Sequence, residues 1–264
     1  MFGTGQSRVI HATAIIDQSA RLAHDVSVGA YSIIGAEVEI GSGTRVGPHV
    51  VINGPTHIGK DNQIFQFASI GEVPQDKKFA GERSTLEIGE RNIIREFVTF
   101  NRGTADGISK TVIGSDNLFM AYSHVAHDCI VGNHTVFANA ASLSGHVGVG
   151  DYTILGGFTS VHQFTQIGTR SLCGLGSVVV QDIPPFSTAA GNRARTIGIN
   201  KEGLKRKGFS PELISALHRS FRELLKSRTP KKDAYEKLRT LCDQYPEVDE
   251  FVRFVRDSKR GIAL

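Results

Sequence analysis

Residues 10–71 read IHATAIIDQSARLAHDVSVGAYSIIGAEVEIGSGTRVGPHVVINGPTHIGKDNQIFQFASIG, and this stretch decides the fold. Stepping by six from Ile10 meets Ile16, Leu22, Val28, Ile34, Ile40, Val46, Ile52, Ile58, Ile64 and Ile70, eleven branched aliphatics in succession. Glycine follows the aliphatic at positions 29, 35, 41, 47, 59 and 71. Neither the period of a helix nor the alternation of a flat strand generates a repeat of six. A β-helix does: each rung supplies a short strand and a turn, and one aliphatic points inward. The glycine beside it is expected to allow the backbone conformation of a tight corner. Three rungs close a triangular coil of eighteen residues. Successive coils bond through their backbones at a spacing of about 4.8 Å.

Outward from this stretch the phase reaches Ile88, Ile94 and Phe100, but the intervening steps fall on Asp76 and Glu82. VPQDKKFAGERST (73–85) is therefore predicted to loop out of the coil. From Phe100 to Ile113 is thirteen residues, which predicts one extra residue within NRGTADGISKT (101–111). The register then runs through Phe119, Val125, Val131, Phe137, Leu143, Val149, Leu155, Val161, Ile167 and Cys173 to Val179, and Pro184 and Pro185 end it. The result is a prism on the order of ten coils long, each burying its neighbour's apolar row. Residues 1–192 are assigned to this mainly β domain and 193–264 to a C-terminal helical domain. In the latter, Ser210-Pro211 reads as an N-cap followed by an N1 proline. Ile214, Leu217, Phe221 and Leu224 follow at helical spacing. Thr229-Pro230 repeats the start signal before Tyr235, Leu238 and Leu241, and Pro246 opens a helix carrying Val248, Phe251, Val252 and Val255. These stripes read as the core of a helical cap.

Composition excludes several classes. No apolar run reaches the length of a membrane span, and MFGTGQSRVI (1–10) lacks the apolar core of a signal peptide. Cys129, Cys173 and Cys242 form no CxxC, which suits a reduced cytoplasm and speaks against structural zinc. Residues 201–264 hold 16 Lys+Arg against 10 Asp+Glu, net +6, on a body of net −2. An anionic partner near that end, or simply a solvated helical surface, accounts for the imbalance. Without tryptophan, and with few aromatics among the basic residues, nucleic-acid binding is disfavoured.

The eighteen-residue coil also works as an address. His127, Gly145 and Gln163 each lie two residues past a rung aliphatic and are expected in one vertical column. Asp128 and His146 form the adjacent column, while His124 and His162 start near the same corner. A neutral imidazole is a general base near neutral pH, and Asp128 stands ready to orient it. Gly145 has no side chain to cover its N–H, which is free to donate to a developing oxyanion. Base, orienting carboxylate and oxyanion donor are what acyl transfer requires. No serine or cysteine has an activating arrangement, so direct attack by an acceptor hydroxyl is the economical route. Clustered histidines also suit a metal, and hexapeptide prisms such as the gamma-class carbonic anhydrases carry zinc.

FQFASIGEVPQDKKFAGE (65–82), GSDNLFMAYSHVAHDCIVGN (114–133), SGHVGVGDY (144–152), VHQFTQIG (161–168) and AAGNRARTIGINKEGLKRKGFS (189–210) closely resemble one family. It is the acyl-[acyl-carrier-protein]–UDP-N-acetylglucosamine O-acyltransferases, which open lipid A biosynthesis. The resemblance implies a left-handed parallel β-helix, a homotrimer in the cytoplasm, and active sites between subunits. It implies transfer of an (R)-3-hydroxyacyl chain from acyl carrier protein to the glucosamine 3-hydroxyl of UDP-N-acetylglucosamine, with no metal and no cofactor beyond the carrier thioester. The family's base, orienting aspartate and oxyanion glycine match His127, Asp128 and Gly145. Positions matching Asp76, Lys78, His124, His146, His162 and Gln163 line the substrate cleft, and those matching Asn200, Glu202 and Arg206 contact the nucleotide. Lys207 stands where an arginine often follows, and loses the bidentate fork. A glycine matching Leu175 goes with long acyl chains, so leucine there implies a shorter one, nearer ten or twelve carbons than fourteen.

Other classes remain open on the residues alone: an N-acyltransferase, a coenzyme A-dependent hexapeptide transferase, or a zinc-dependent gamma-type carbonic anhydrase. The first usually has an added N-terminal domain, whereas the rungs here begin at Ile10. The second lacks the VPQDKKFAGE loop in this form.

Overall fold

Each six-residue step lands on a short strand, most of them two residues long, with the stepped residue turned inward. The computed structural model describes residues 9–227 and 229–264. The expectation about the opening MFGTGQSR lies outside the described residues. Among them the strands form three sheets, one per face of a prism. The first face has eleven strands, Val9–Ile10 to Arg195–Ile199; the second nine, Ile15–Ile16 to Val178–Val179; the third eight, Arg21–Leu22 to Gln166–Ile167. Partners are eighteen residues apart and parallel, as in Val28 with Val46 and Ile34 with Ile52. The chain is thus a left-handed parallel β-helix. Its axis is filled by the rung side chains, with Phe100, Phe119 and Phe137 packed ring to ring at 4.8 and 4.7 Å. Each fully buried aliphatic contributes about 1.5–3 kcal/mol of transfer free energy.

Two expectations change. Apart from Gly71, whose φ is 76°, the glycine after the rung residue answers to close approach and not to its dihedral. A Cβ on Gly29 would lie 2.5 Å from Pro48 N, and one on Gly41 2.7 Å from the Gly59 carbonyl carbon. Left-handed φ falls instead on the third residue past the rung, mostly on residues other than glycine, such as Glu37, Asp61, Asp128 and His146.

The break after Phe100 is also larger than one residue. Phe100 pairs with Val125, so that coil has twenty-five residues, seven more than eighteen. The loop at 73–84 likewise extends its coil, since Ile64 pairs with Ile94. Both insertions leave the corner between the second and third faces.

The prism ends where Ser187–Ala190 pairs antiparallel with Arg195–Ile199. Among the described residues four helices follow: α1 (Lys201–Arg206), α2 (Pro211–Leu225), α3 (Lys231–Gln244) and α4 (Pro246–Asp257). The sequence pattern missed α1, a short helix capped by Asn200, whose side chain accepts from Gly203 N at 3.1 Å. Ser210 caps α2 as expected, accepting from Leu213 N at 3.2 Å. Thr229 does not cap α3, because Pro230 stays extended (φ −53°, ψ 138°) and the helix begins after it, without a side-chain cap. The stripes at Leu217, Phe221, Leu224, Leu238, Val248, Phe251, Val252 and Val255 are buried together in a second core.

Candidate active site

The second-to-third-face corner brings His127, Asp128, Gly145 and His146 together. His127 Nδ1 is 2.9 Å from Asp128 Oδ2. A carboxylate only accepts, so Nδ1 carries a proton and donates it to Asp128, which leaves Nε2 facing away from the carboxylate. Gly145 stands one coil above: a Cβ there would lie 2.5 Å from His127 Cε1 and 2.6 Å from Nε2. Any side chain at 145 would occupy the ring's place. Among the described residues, the Gly145 N–H donates to nothing, while its carbonyl accepts from Phe164 N at 3.1 Å. The residue stacked on the His127 ring thus keeps an amide with no partner among the described residues.

The loop that broke the register holds the carboxylate. Thr104 Oγ1 donates to Asp128 Oδ2 at 2.6 Å, Thr104 N reaches both oxygens at 3.2 and 3.1 Å, and Ile108 N donates to Oδ1 at 3.0 Å. Gly107 closes the loop over the carboxylate, where a Cβ would lie 2.3 Å from Asp128 Cγ. Burial pushes the Asp128 pKa up, but the hydrogen bonds from Thr104 and His127 outweigh it and hold the group below the usual aspartate value. Asp128 is an anion at neutral pH despite a fully buried side chain. Neither Thr104 nor the Ile108 amide was legible as a site group; the thirteen-residue interval was their only trace.

His146 meets His127 edge to face with centroids 5.0 Å apart and stacks on Phe164 at 4.4 Å. Burial lowers its pKa, partly offset by Asp128 and, more weakly, Asp76. His124, more deeply buried, is also held below the ordinary histidine value, and its Nδ1 lies 2.7 Å from Thr99 Oγ1. Asp76 and Lys78 sit on the first inserted loop, where Asp76 Oδ1 accepts from Lys78 N at 3.0 Å and Lys78 Nζ is 3.8 Å from Asp106. α4 closes the other side: Glu250 and Phe254 line a cavity of about 350 Å³ with Asp128, His146 and Gln166. The expected helical cap thus also forms a wall of the site. Burial raises the Glu250 pKa.

Not every expected residue joins this cluster. His162 turns to the C-terminal strap, with Nδ1 3.3 Å from Arg260 Nη2 and 3.2 Å from the Gln163 carbonyl. It shares a face with His124 but starts two positions later along the strand, since the residue in register with His124 two coils on is Ser160. Gln163 continues the Gly145 column. Leu175, 77% exposed, follows Cys173 and so belongs to the corner between the first and second faces. Asn200, Glu202 and Arg206 lie on or at the cap of α1. Among the described residues no bond links Leu175 or these three to His127.

His127, Asp128 and His146 each offer a ligand atom within 4.8 Å of the others. Yet both Asp128 oxygens are taken by the loop and by His127, so a cation would have to break that cradle. Cys129 is no nucleophile: burial pushes its thiol up to about 12.

A prism of six-residue rungs with an oriented imidazole under a bare amide is the build of a hexapeptide transferase. A bacterial transferase hexapeptide family matches residues 110–145, and Udp N-acetylglucosamine O-acyltransferase, domain 2, matches 182–263. The chain is 55% identical over 258 residues to the acyl-[acyl-carrier-protein]–UDP-N-acetylglucosamine O-acyltransferase of Herminiimonas arsenicoxydans, covering 96% of this chain and 98% of the relative. It is 54% identical to that of Thiobacillus denitrificans, with the same coverage. LpxA of Acinetobacter baumannii superposes with a TM-score of 0.94 at 45% identity, covering 97% of this chain and 100% of that one. The chain belongs to the acyl-[acyl-carrier-protein]–UDP-N-acetylglucosamine O-acyltransferase family.

Proposed function

We propose that the chain transfers an (R)-3-hydroxyacyl group from acyl carrier protein to the 3-hydroxyl of the glucosamine in UDP-N-acetylglucosamine, the first step of lipid A biosynthesis in the cytoplasm. The observation that carries the chemistry is the Gly145 backbone set against the His127 ring. His127 Nε2 takes the proton of the acceptor hydroxyl while Asp128 holds Nδ1–H. The hydroxyl oxygen attacks the thioester carbonyl carbon, and the carbonyl electron pair moves to oxygen, where the Gly145 N–H stabilises it. As the carbonyl reforms, the C–S bond breaks and the imidazolium returns its proton to the leaving thiolate. No acyl-enzyme, metal or cofactor enters.

The same reading makes the enzyme a homotrimer. Tyr31, His49, Phe67, Phe97 and Tyr122 stack as a ridge of rings, 4.8–5.3 Å apart, along the first-to-second-face corner. All five of these rings are exposed in the single chain. Leu175 shares that corner and His127 does not, so only a neighbouring copy can set Leu175 against the acyl chain at His127. The basic helical region, including Lys205 and Arg206, supports docking of an acidic carrier protein, and Asn200, Glu202 and Arg206 are the nucleotide contacts.

The test is an assay of UDP-N-acetylglucosamine with 3-hydroxyacyl carrier proteins of graded length, using wild type and His127→Ala. Loss of the base is expected to cost about 10² to 10⁴ in rate with assembly intact. More than a tenth of wild-type activity in the variant would remove His127 from that role.

A further inference from the structure

We infer that Glu82 is a positioning residue of the acyl-transfer site: it ties the inserted loop that carries Asp76 and Lys78 to the inserted loop that cradles Asp128, and through that cradle it sets the His127 ring. The inference rests on His127 as the base proposed above. Among the described residues no hydrogen bond links Glu82 to His127 or Asp128, so it acts through the loops. Its half-buried carboxylate accepts from Ala80 N at 2.8 Å within its own loop, through Oε2, and from Ala105 N at 3.2 Å in the other, through Oε1. Backbone donors at Glu82 itself, Ala80 and Ala105 hold its carboxyl below the usual glutamate value, although Asp76 opposes them. Glu82 is therefore an anion at neutral pH, and its bonds to these amides are charge-assisted.

The bond to Ala105 falls where it can act on the base. The Ala105 N–H and the Thr104 carbonyl belong to one planar peptide unit. The carbonyl accepts from Gly107 N at 3.2 Å and Ser109 N at 3.1 Å, and Glu82 holds the opposite edge. With both edges held the unit resists rotation, which keeps the amide and hydroxyl of Thr104 on Asp128. Ala105 is exposed and Thr104 is buried. Glu82 thus works from the solvent side on a group that solvent does not reach.

Other ties between the loops do less. Arg102 N donates to the Glu72 carbonyl at 3.1 Å and Gly103 N to that of Thr85 at 3.3 Å, which joins the loops at their roots. Lys78 Nζ stands 3.8 Å from Asp106 Oδ2, but both side chains are exposed, and a surface pair of this kind contributes little. Arg83, next in sequence to Glu82, pairs with Glu37 of an earlier coil. It anchors the first loop without the bridge to Ala105, and so separates general anchoring from the tie itself.

The test makes Glu82→Ala, Glu82→Asp, Glu82→Gln and Arg83→Gln in the full chain. Each is assayed for steady-state acyl transfer and for the ring-nitrogen resonances of isotope-labelled histidines, with His127 assigned by its absence from His127→Ala. Glu82→Ala should lower kcat about ten- to a hundredfold, the range for a base displaced by up to about 1 Å, and should move the His127 resonances. Glu82→Asp keeps the charge but falls one methylene short of Ala105, and should behave like the alanine variant. Glu82→Gln keeps the length and one acceptor oxygen, and should recover part of the loss. Arg83→Gln should stay within about twofold of wild type, as an exposed pair predicts, with the resonances unmoved. A Glu82→Ala kcat within about threefold of wild type, or unmoved His127 resonances, overturns the inference. So does an equal loss in Arg83→Gln, or aspartate outperforming glutamine, which would mark a role of charge or general anchoring. Should Glu82→Ala fail to assemble, Glu82→Asp decides by the same limits. Wild type that transfers no acyl group would refute the activity instead, and the ring resonances of the Glu82 variants would still decide the tie.

Discussion

Gly145→Ala isolates the base from the oxyanion donor. The backbone N–H survives this substitution, so an effect on rate reports on what the methyl displaces. That methyl would lie 2.5 Å from His127 Cε1, 2.6 Å from Nε2 and 3.1 Å from Nδ1. Relaxed carbon contacts need about 3.5 Å or more, so the ring must retreat by about 1 Å. It has little room to do so: Asp128 holds Nδ1 at 2.9 Å and His146 stands edge-on at 5.0 Å. Retreat lengthens the Asp128 bond and turns Nε2 from the acceptor. A misplacement of about 1 Å costs on the order of 10²-fold, and loss of the base up to about 10⁴-fold. The expected kcat lies between these limits. The assay is steady-state acyl transfer alongside thermal unfolding. Because the methyl meets a site side chain rather than the core, Tm should move by only a few degrees. Activity within threefold of wild type would refute the stacking of this amide on the ring as the basis of catalysis. A collapse of Tm matching the activity loss would refute its confinement to the site.

Leu175→Gly should shift the preferred donor toward longer acyl chains at similar kcat; an unchanged chain-length profile counts against Leu175 as the groove's end. Asn92→Ala should destabilise the prism by about 3 kcal/mol without changing KM. The buried side chain donates to Asn62 Oδ1 and the Gly114 carbonyl and accepts from Asn117 N, each at 3.0 Å, and orphaned buried groups cost about 1–3 kcal/mol each. Denaturant unfolding with a change below 1 kcal/mol would contradict that ladder. Acid should weaken the fold in two windows. His124 and His146 are held below the ordinary 6.5, so the unfolded chain binds protons that the folded one refuses. Their contribution is present above that value and is lost as pH falls from it toward the depressed values. Asp128, held below 3.8, contributes stability above that value that is lost as pH falls further, through its folded pKa. Urea midpoints that stay flat from pH 7 to 5 would contradict the first window.

The prism was legible because its driving force is periodic. One aliphatic every six residues is a local pattern, and the eighteen-residue lap converts it into a three-dimensional address. That arithmetic alone sets Gly145 over His127 and His146 beside Asp128. It failed wherever the chain leaves the repeat. The inserted residues after Phe100 carry Thr104 and Ile108 to Asp128 through contacts with no period, and the broken count after Phe100 was the sole sign of them. The glycines beside the rungs were legible as a pattern but not in purpose, because close approach depends on the next coil's backbone rather than on neighbours in sequence.

The sequence by itself determined the repeat, the inward faces, the helical stripes and the vertical pairing of imidazole with amide, all consequences of burying one residue in six. Only the tertiary structure decided which partners charge and orient those groups. Asp128 stays ionised because an excursion of chain wraps it with donors, α4 becomes a wall of the site, and Arg260 reaches His162 from ninety-eight residues away. Such contacts form between segments that share no period, so their energy is set by where the folded backbone brings them and is invisible in the order of residues.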